Sequence, residues 1–157
     1  MRVIKGMHVP QNAFVLVADG RKWILFRNDG VGNDISLRTD SHEERQNRKD
    51  SDFKSDAPGS QHQRFGYAHP AMEETDFHQQ EEDQFANDIA AMMKLRSQAS
   101  DFGHLIVVAP PHTLGILRAK WHENVATRII GEIPKDLTDH PATAIEALLT
   151  EETDPPG

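Results

Sequence analysis

The stretch HLIVVAPPHTLGILR, residues 104–118, decides the fold. His104 to Ala109 is a continuous apolar run, the pattern of a strand covered on both faces. Pro110-Pro111 breaks it, and Pro111 suits the first turn of a helix running to about Lys120. A buried strand that feeds directly into a helix is the repeating unit of a parallel sheet. Upstream, Phe14 to Ala18 (FVLVA) is a second run of this kind. Asp19-Gly20 turns the chain tightly into Lys22 to Arg27 (KWILFR). Asp29-Gly30 or Gly32-Asn33 makes the next turn, and Asp34 to Thr39 (DISLRT) alternates like a third strand. Downstream, Trp121 to Ala126 leads by a turn into a fifth strand, Thr127 to Ile133. Thr138 or Asp139 then caps a last helix, with Pro141 in its first turn and Ile145, Leu148 and Leu149 on its buried face.

Between these halves the composition changes. Ser41 to Thr75 has almost no aliphatic residues and reads as a flexible polar loop, because it cannot bury enough apolar area to offset its ordering entropy. Its charge is uneven: residues 41–64 carry five acids and five bases, whereas 65–83 carry six acids and no Lys or Arg. A helix is predicted from about Asp76, where Asp76 and Gln79 have capping-box spacing, to about Ser100. Phe85, Ile89, Met92 and Met93 form its apolar stripe. Residues 151–157 make an acidic tail.

The element order is βββαβαβα. The first three strands should be antiparallel and the later ones parallel, with right-handed crossovers. If the fourth strand lies beside the first, the sheet order is 3-2-1-4-5, with helices on both faces and a long loop between strand 3 and helix 1. That is an α/β fold of the ribonuclease-H-like type.

Bulk properties bound the function. A chain of 157 residues suits one domain. With no cysteine, disulfides and thiolate metal sites are excluded. No apolar run has signal-peptide or membrane-span length, so a cytoplasmic location away from membranes is expected. The net charge of −8 argues against general nucleic-acid binding, which relies on Lys and Arg neutralising phosphates. No cofactor is expected.

Four constellations bear on chemistry. A two-metal nuclease needs carboxylates converging from the first strand, the first helix and the fourth strand. Asp19 and either Glu82 or Asp88 would serve, but the fourth strand ends Val108-Ala109-Pro110-Pro111 without an acid, and Asp19 reads as a turn residue. A metal site could draw on His69, Glu73, Glu74, Asp76 and His78, against the plainer reading of a solvated acidic segment entering a helix. His122-Glu123 begins like HExxH, but Ala126 stands where the second His belongs. Pro110 to Leu114 opens a helix after a buried strand, where backbone amides accept anions, though without a glycine-rich cradle. Arg118, Lys120, Arg128 and Lys135 form a basic cluster in sequence that would suit RNA if they shared one surface. Trp23 and Trp121 read as packing residues.

Three phrases together carry a resemblance: VLVADGRKWILF at 15–26, HLIVVAPPHTLGILR at 104–118 and EIPKDLTDHPATAIEALL at 132–149. The chain resembles the bacterial host attachment proteins, those required for attachment to host cells. That family is similar to the central domain of archaeal and eukaryotic peptide-chain release factors. The resemblance implies a ribonuclease-H-like fold without nuclease carboxylates. In release factors a Gly-Gly-Gln loop promotes hydrolysis of peptidyl-tRNA; here the comparable segment holds Gly59-Ser60-Gln61, and Ser lacks the backbone freedom of the second glycine. The resemblance implies a non-enzymatic interaction domain. Its partner would be the ribosome, tRNA or a cytoplasmic protein. The contacts would come from Gly59, Ser60, Gln61 and Arg64, with Arg118 and Lys120 as RNA contacts. The alternatives are a peptidyl-tRNA hydrolase acting through Gln61, a metal-dependent hydrolase using His69, Glu73, Asp76 and His78, and a surface adhesin.

Overall fold

The computed structural model describes residues 9–32, 34–45 and 71–153, with the side chains of 71–76 and 151–153 outside that description. Three strands come first: β1 (Phe14–Ala18), β2 (Lys22–Asn28) and β3 (Leu37–Glu44). Helix α1 (Ala71–Gln98) leads to β4 (Leu105–Val108), α2 (Pro111–Arg118) and the short α3 (Glu123–Ala126). Strand β5 (Ile129–Ile133) and helix α4 (Ala142–Thr153) complete the order. The sheet runs β3-β2-β1-β4-β5. The β1–β2 and β2–β3 pairs are antiparallel, and β1–β4 and β4–β5 are parallel. This is the expected mixed sheet in the expected order.

Alternation along β1 explains why its sequence is apolar throughout. Phe14, Leu16 and Ala18 face a core built with Phe85, Ile89 and Met93 of α1, Leu114 and Leu117 of α2, and Val125 of α3. Val15 and Val17 face the other way, into a core with Ile106, Val108, Ile133 and, from α4, Ile145 and Leu149. Both sheet faces are therefore covered, and a polar residue at any β1 position would sit in a core. Each such side chain contributes roughly 1.5–3 kcal/mol on burial, so β1 and β4 anchor the domain.

The third strand departs from expectation. It begins at Leu37 and runs to Glu44, five residues beyond Thr39. Leu37 is its one buried residue. An edge strand with one face in water needs no apolar alternation, and its charges discourage pairing with other chains. Backbone bonding to β2 holds it, and Glu146 of α4 accepts a hydrogen bond from the Leu37 amide at 2.7 Å. Asp40 is the extra residue of a bulge, since Thr39 pairs with Phe26 and Ser41 with Leu25. The β2–β3 loop is tied by buried Asn28. Its amide nitrogen donates to the Val9 and Pro10 carbonyls, and its oxygen accepts from the Gly30 and Ser36 amides.

The helix boundaries also shift. α1 starts at Ala71, so Asp76 and Gln79 lie within it and form no capping box. With β3 ending at Glu44, the segment between strand 3 and helix 1 is shorter at both ends than Ser41 to Thr75. Ser100 follows α1 with φ of 59°, the left-handed turn that often stops a helix, and the Asp101 amide returns to the Arg96 carbonyl. α4 starts at Ala142, so neither Thr138 nor Asp139 caps it, and it takes the first three residues of the expected tail. Thr138 instead turns inward. Its hydroxyl lies 2.9 Å from both Asp19 Oδ2 and Asp136 Oδ1.

Candidate functional site

Because β1, β4 and β5 are parallel, their carboxyl ends share one edge of the sheet. Asp19-Gly20 leaves β1 there, Pro110-Pro111 leaves β4 into α2, and the segment holding Thr138 follows β5. Ligands in open α/β sheets favour this edge. A shallow cleft with a cavity volume of only ≈ 10 Å³, about one water, lies here between the end of β1, α1 and α2. Asp19, Gly20, Glu82 and Thr113 supply its polar rim, and Phe85, Ala86, Ile89 and Ile116 its apolar wall.

Each rim residue is placed by a local reason. Asp19 Oδ1 accepts from the Arg21 and Lys22 amides at 2.8 and 2.7 Å, which closes the turn, and Oδ2 faces the Thr138 hydroxyl. Its oxygens are thus engaged in structure. Gly20 admits Glu82: a Cβ at Gly20 would lie 3.3 Å from Glu82 Oε2. Glu82 Oε1 in turn lies 3.2 Å from His112 Nε2, with both side chains partly in water. On α2 the Leu114 amide returns to the Pro110 carbonyl, so the preceding amides of His112 and Thr113 have no place in the helix ladder. Nearby, Lys22 bonds Asp139 at 3.0 Å. That bond, helped by Glu44 and Asp19, holds the ammonium above its ordinary pKa.

The structure thus brings together Asp19, Glu82 and His112, which the sequence offers under separate headings. Asp88 is elsewhere engaged, bonded to Arg45 and Gln84. Strand β4 ends without an acid, and among the described residues no group of three metal-ligating side chains occurs.

The basic cluster resolves into separate roles. Arg118 Nε and Nη2 donate to Glu132 Oε1 at 3.0 and 2.8 Å. Glu132 is only 3% exposed while Arg118 is 51% exposed, so the guanidinium covers a buried carboxylate. Arg128 donates to the Phe102 and Asn124 carbonyls. Lys120 is half-buried just beyond α2, and Lys135 is exposed after β5. Trp23 is buried as expected; Trp121 is half-buried against the same core, its indole N–H enclosed and without a partner among the described residues.

Gly59, Ser60, Gln61, Arg64 and His69 lie outside the described residues. Glu73 and Asp76 are on α1, with side chains outside the description. His78 is half-buried on the same helix, its ring edge-on to Phe77 at 6.1 Å. Thr138 was missed as a site residue, because a lone Thr before a helix reads as a cap; Thr113 entered the reading only within the Pro110–Leu114 helix start.

The chain matches bacterial archaeo-eukaryotic release factor family 12 over residues 12–149. It belongs to that family. The match spans all five strands and everything between them, so the release-factor-like character extends over the whole sheet. No curated protein matches the chain. Membership accords with a sheet of the release-factor-like type whose β4 carries no acid at its carboxyl end.

Proposed function

We propose that this member of family 12 is a non-enzymatic interaction domain that engages the translation machinery, the ribosome or tRNA, in the cytoplasm. The observation that carries the reading is the family match across residues 12–149, which includes the long polar segment between β3 and α1. In the release factors that the chain resembles, the comparable segment carries the working loop. Here Gly59, Ser60, Gln61 and Arg64 would make the partner contact, with Lys120 and the exposed part of Arg118 as supporting RNA contacts. Among the described residues no helix is long and apolar enough to cross a membrane. An attachment role, as in the host attachment proteins, would then be an indirect result of an effect on translation.

Ribosome co-sedimentation of the purified chain, at low and moderate salt, tests this reading. Binding that falls with salt and is lost when residues 46–70 are deleted is the expected result. Equal binding by the deleted chain would remove the loop from the function. No binding at either salt would refute the translation partner. A Gln61→Ala variant in a peptidyl-tRNA hydrolysis assay separates a contact role from a chemical one: the reading expects no hydrolysis by either protein.

A further inference from the structure

We propose that β3 pairs antiparallel with β3 of a second copy of this chain, joining two sheets edge to edge in a dimer. The proposal is independent of the ribosome reading. Apart from Leu37, every residue of β3 is exposed or half-exposed. Asp40 is exposed although its side chain is only 20% so, which means that the backbone of the bulge meets water. Bonds at the two ends of the strand fix which backbone groups point outward. The Ser36 carbonyl accepts from the Asp29 amide, and the Arg45 amide donates to the Arg21 carbonyl, both toward the β2 side. Backbone groups alternate in direction along an antiparallel strand. Arg38, Ser41 and Glu43 therefore turn theirs to β2, while Leu37, Thr39, His42 and Glu44 turn theirs away from the sheet. Glu146 takes the Leu37 amide. The outward backbone groups of Thr39, His42 and Glu44 bond no described residue.

One register uses this edge fully. It sets Thr39 opposite His42 of the second copy and Leu37 opposite Glu44 of the second copy, so every outward residue meets an outward residue. No other twofold antiparallel register pairs all four. In it Arg38 stands opposite Glu43 of the second copy, twice by symmetry. Both side chains lie on the α1 face, because their β2 partners Arg27 and Trp23 reach the Phe14 ring and the core on that face. In a regular strand, residues an odd number apart face opposite ways. The extra residue of the bulge, Asp40, is what puts Arg38 and Glu43 on one face. They form a pair without backbone bonds between them, the kind whose side chains stand closest, where opposite charges attract. Arg38 gives only Nε to Asp29, and Glu43 lies 3.7 Å from Arg45, so both keep charge for a second partner. Asp40 meets Ser41 of the second copy, and its own charge is already held by Arg96. Charges that discourage an arbitrary strand thus match the same strand reversed, which selects one partner.

A single strand pair makes a small interface, so the expected dimer is weak, with a dissociation constant of roughly 10–100 μM. Sedimentation equilibrium of the full chain, across that range and above it, is the experiment. Arg38→Glu and Glu43→Arg should each weaken the dimer about tenfold, since each sets like charges opposite one another. An equimolar mixture of the two variants should associate as well as wild type, because every such pair then becomes one of opposite sign. Thr39→Pro removes an outward amide and leaves the bonds to β2 in place. It should abolish the dimer with the urea midpoint little changed. Should that variant fail to fold, the mixture still decides. A chain that stays monomeric at every concentration overturns the proposal. So does a dimer that ignores both charge reversals or survives Thr39→Pro, and so do two variants that associate no better mixed than apart.

Discussion

The two ends of the sheet are built on opposite plans. At the amino end of β1, Phe14 stacks on Phe102 with ring centroids 5.1 Å apart. The guanidinium groups of Arg27 and Arg96 lie 4.6 and 5.0 Å from the Phe14 ring centroid. Asp40 and Asp101 pair with both arginines. The bulge at Asp40 is what breaks the edge ladder at this carboxylate. Charge, ring and backbone are thus all partnered. At the carboxyl end, Glu82 and His112 meet in water beside a shallow cleft. The chain has closed one end with paired charges and left the polar groups of the other facing water. A region with no unspent groups can only be damaged by substitution; a region with spare groups can change without unfolding.

Phe14→Ala gives that contrast its largest effect. The residue is fully buried and carries both the ring stack and the two cation contacts. Urea denaturation should show a loss of about 3–5 kcal/mol. Gly30→Ala comes next. A Cβ there would stand 2.0 Å from the Asp34 carbonyl oxygen, which is backbone, so the loop that Asn28 ties must move. The expected loss is about 3 kcal/mol by the same measurement. A loss below about 1 kcal/mol would show that the amino end yields after all.

Arg96→Met is expected to cost about 2 kcal/mol, because it removes charge-assisted bonds to Asp40 and Asp101. The same variant tests a pH effect. The Arg96 bond, with the other groups around it, holds the Asp40 carboxyl below its ordinary value. A depressed carboxylate contributes stability that is complete above its unfolded pKa of about 3.9 and is lost as pH falls through the folded value. Wild type should therefore lose this increment below about pH 4, and Arg96→Met should lack it. Arg96 itself is raised, so its share would fade only at extreme alkaline pH. Parallel acid profiles for the two proteins would remove Asp40 from the account.

Legibility follows the same division. β1 and β4 were readable because both faces are covered, which forces apolar residues at every position. β3 was misplaced because nothing in LRTDSHEE records a buried face; backbone pairing, the bulge and Glu146 hold it. The start of α1 was misplaced because residues 71–76 carry no apolar stripe, and a chance capping-box spacing lay inside the helix. Asp19, Glu82 and His112 were each noticed, yet their convergence depends on how α1 crosses the ends of β1 and α2. That is a tertiary fact with no local signature. Thr138 was hidden by its resemblance to a cap, and the Arg96–Asp40 bond by the bulge that makes it.

Gly20→Ala sets the smallest effect on the sharpest part of the comparison. Its added Cβ would meet Glu82 Oε2 at 3.3 Å and Cγ at 3.4 Å, the far end of a flexible side chain and not backbone. Gly20 has no left-handed φ, so alanine incurs no backbone strain there, and stiffening the unfolded chain offsets part of the crowding. Stability should stay within about 0.5 kcal/mol of wild type. Glu82, however, must move by a few tenths of an ångström, and it touches both Gly20 and His112. The NMR shifts of the His112 imidazole should therefore change while the urea midpoint does not. Glycine-to-alanine at position 30 should do the reverse in kind, shifting the midpoint strongly. If Gly20→Ala unfolds the protein as readily as Gly30→Ala, the carboxyl end is as rigid as the amino end. The Glu82–His112 contact would then be part of the packing and not a free surface pair.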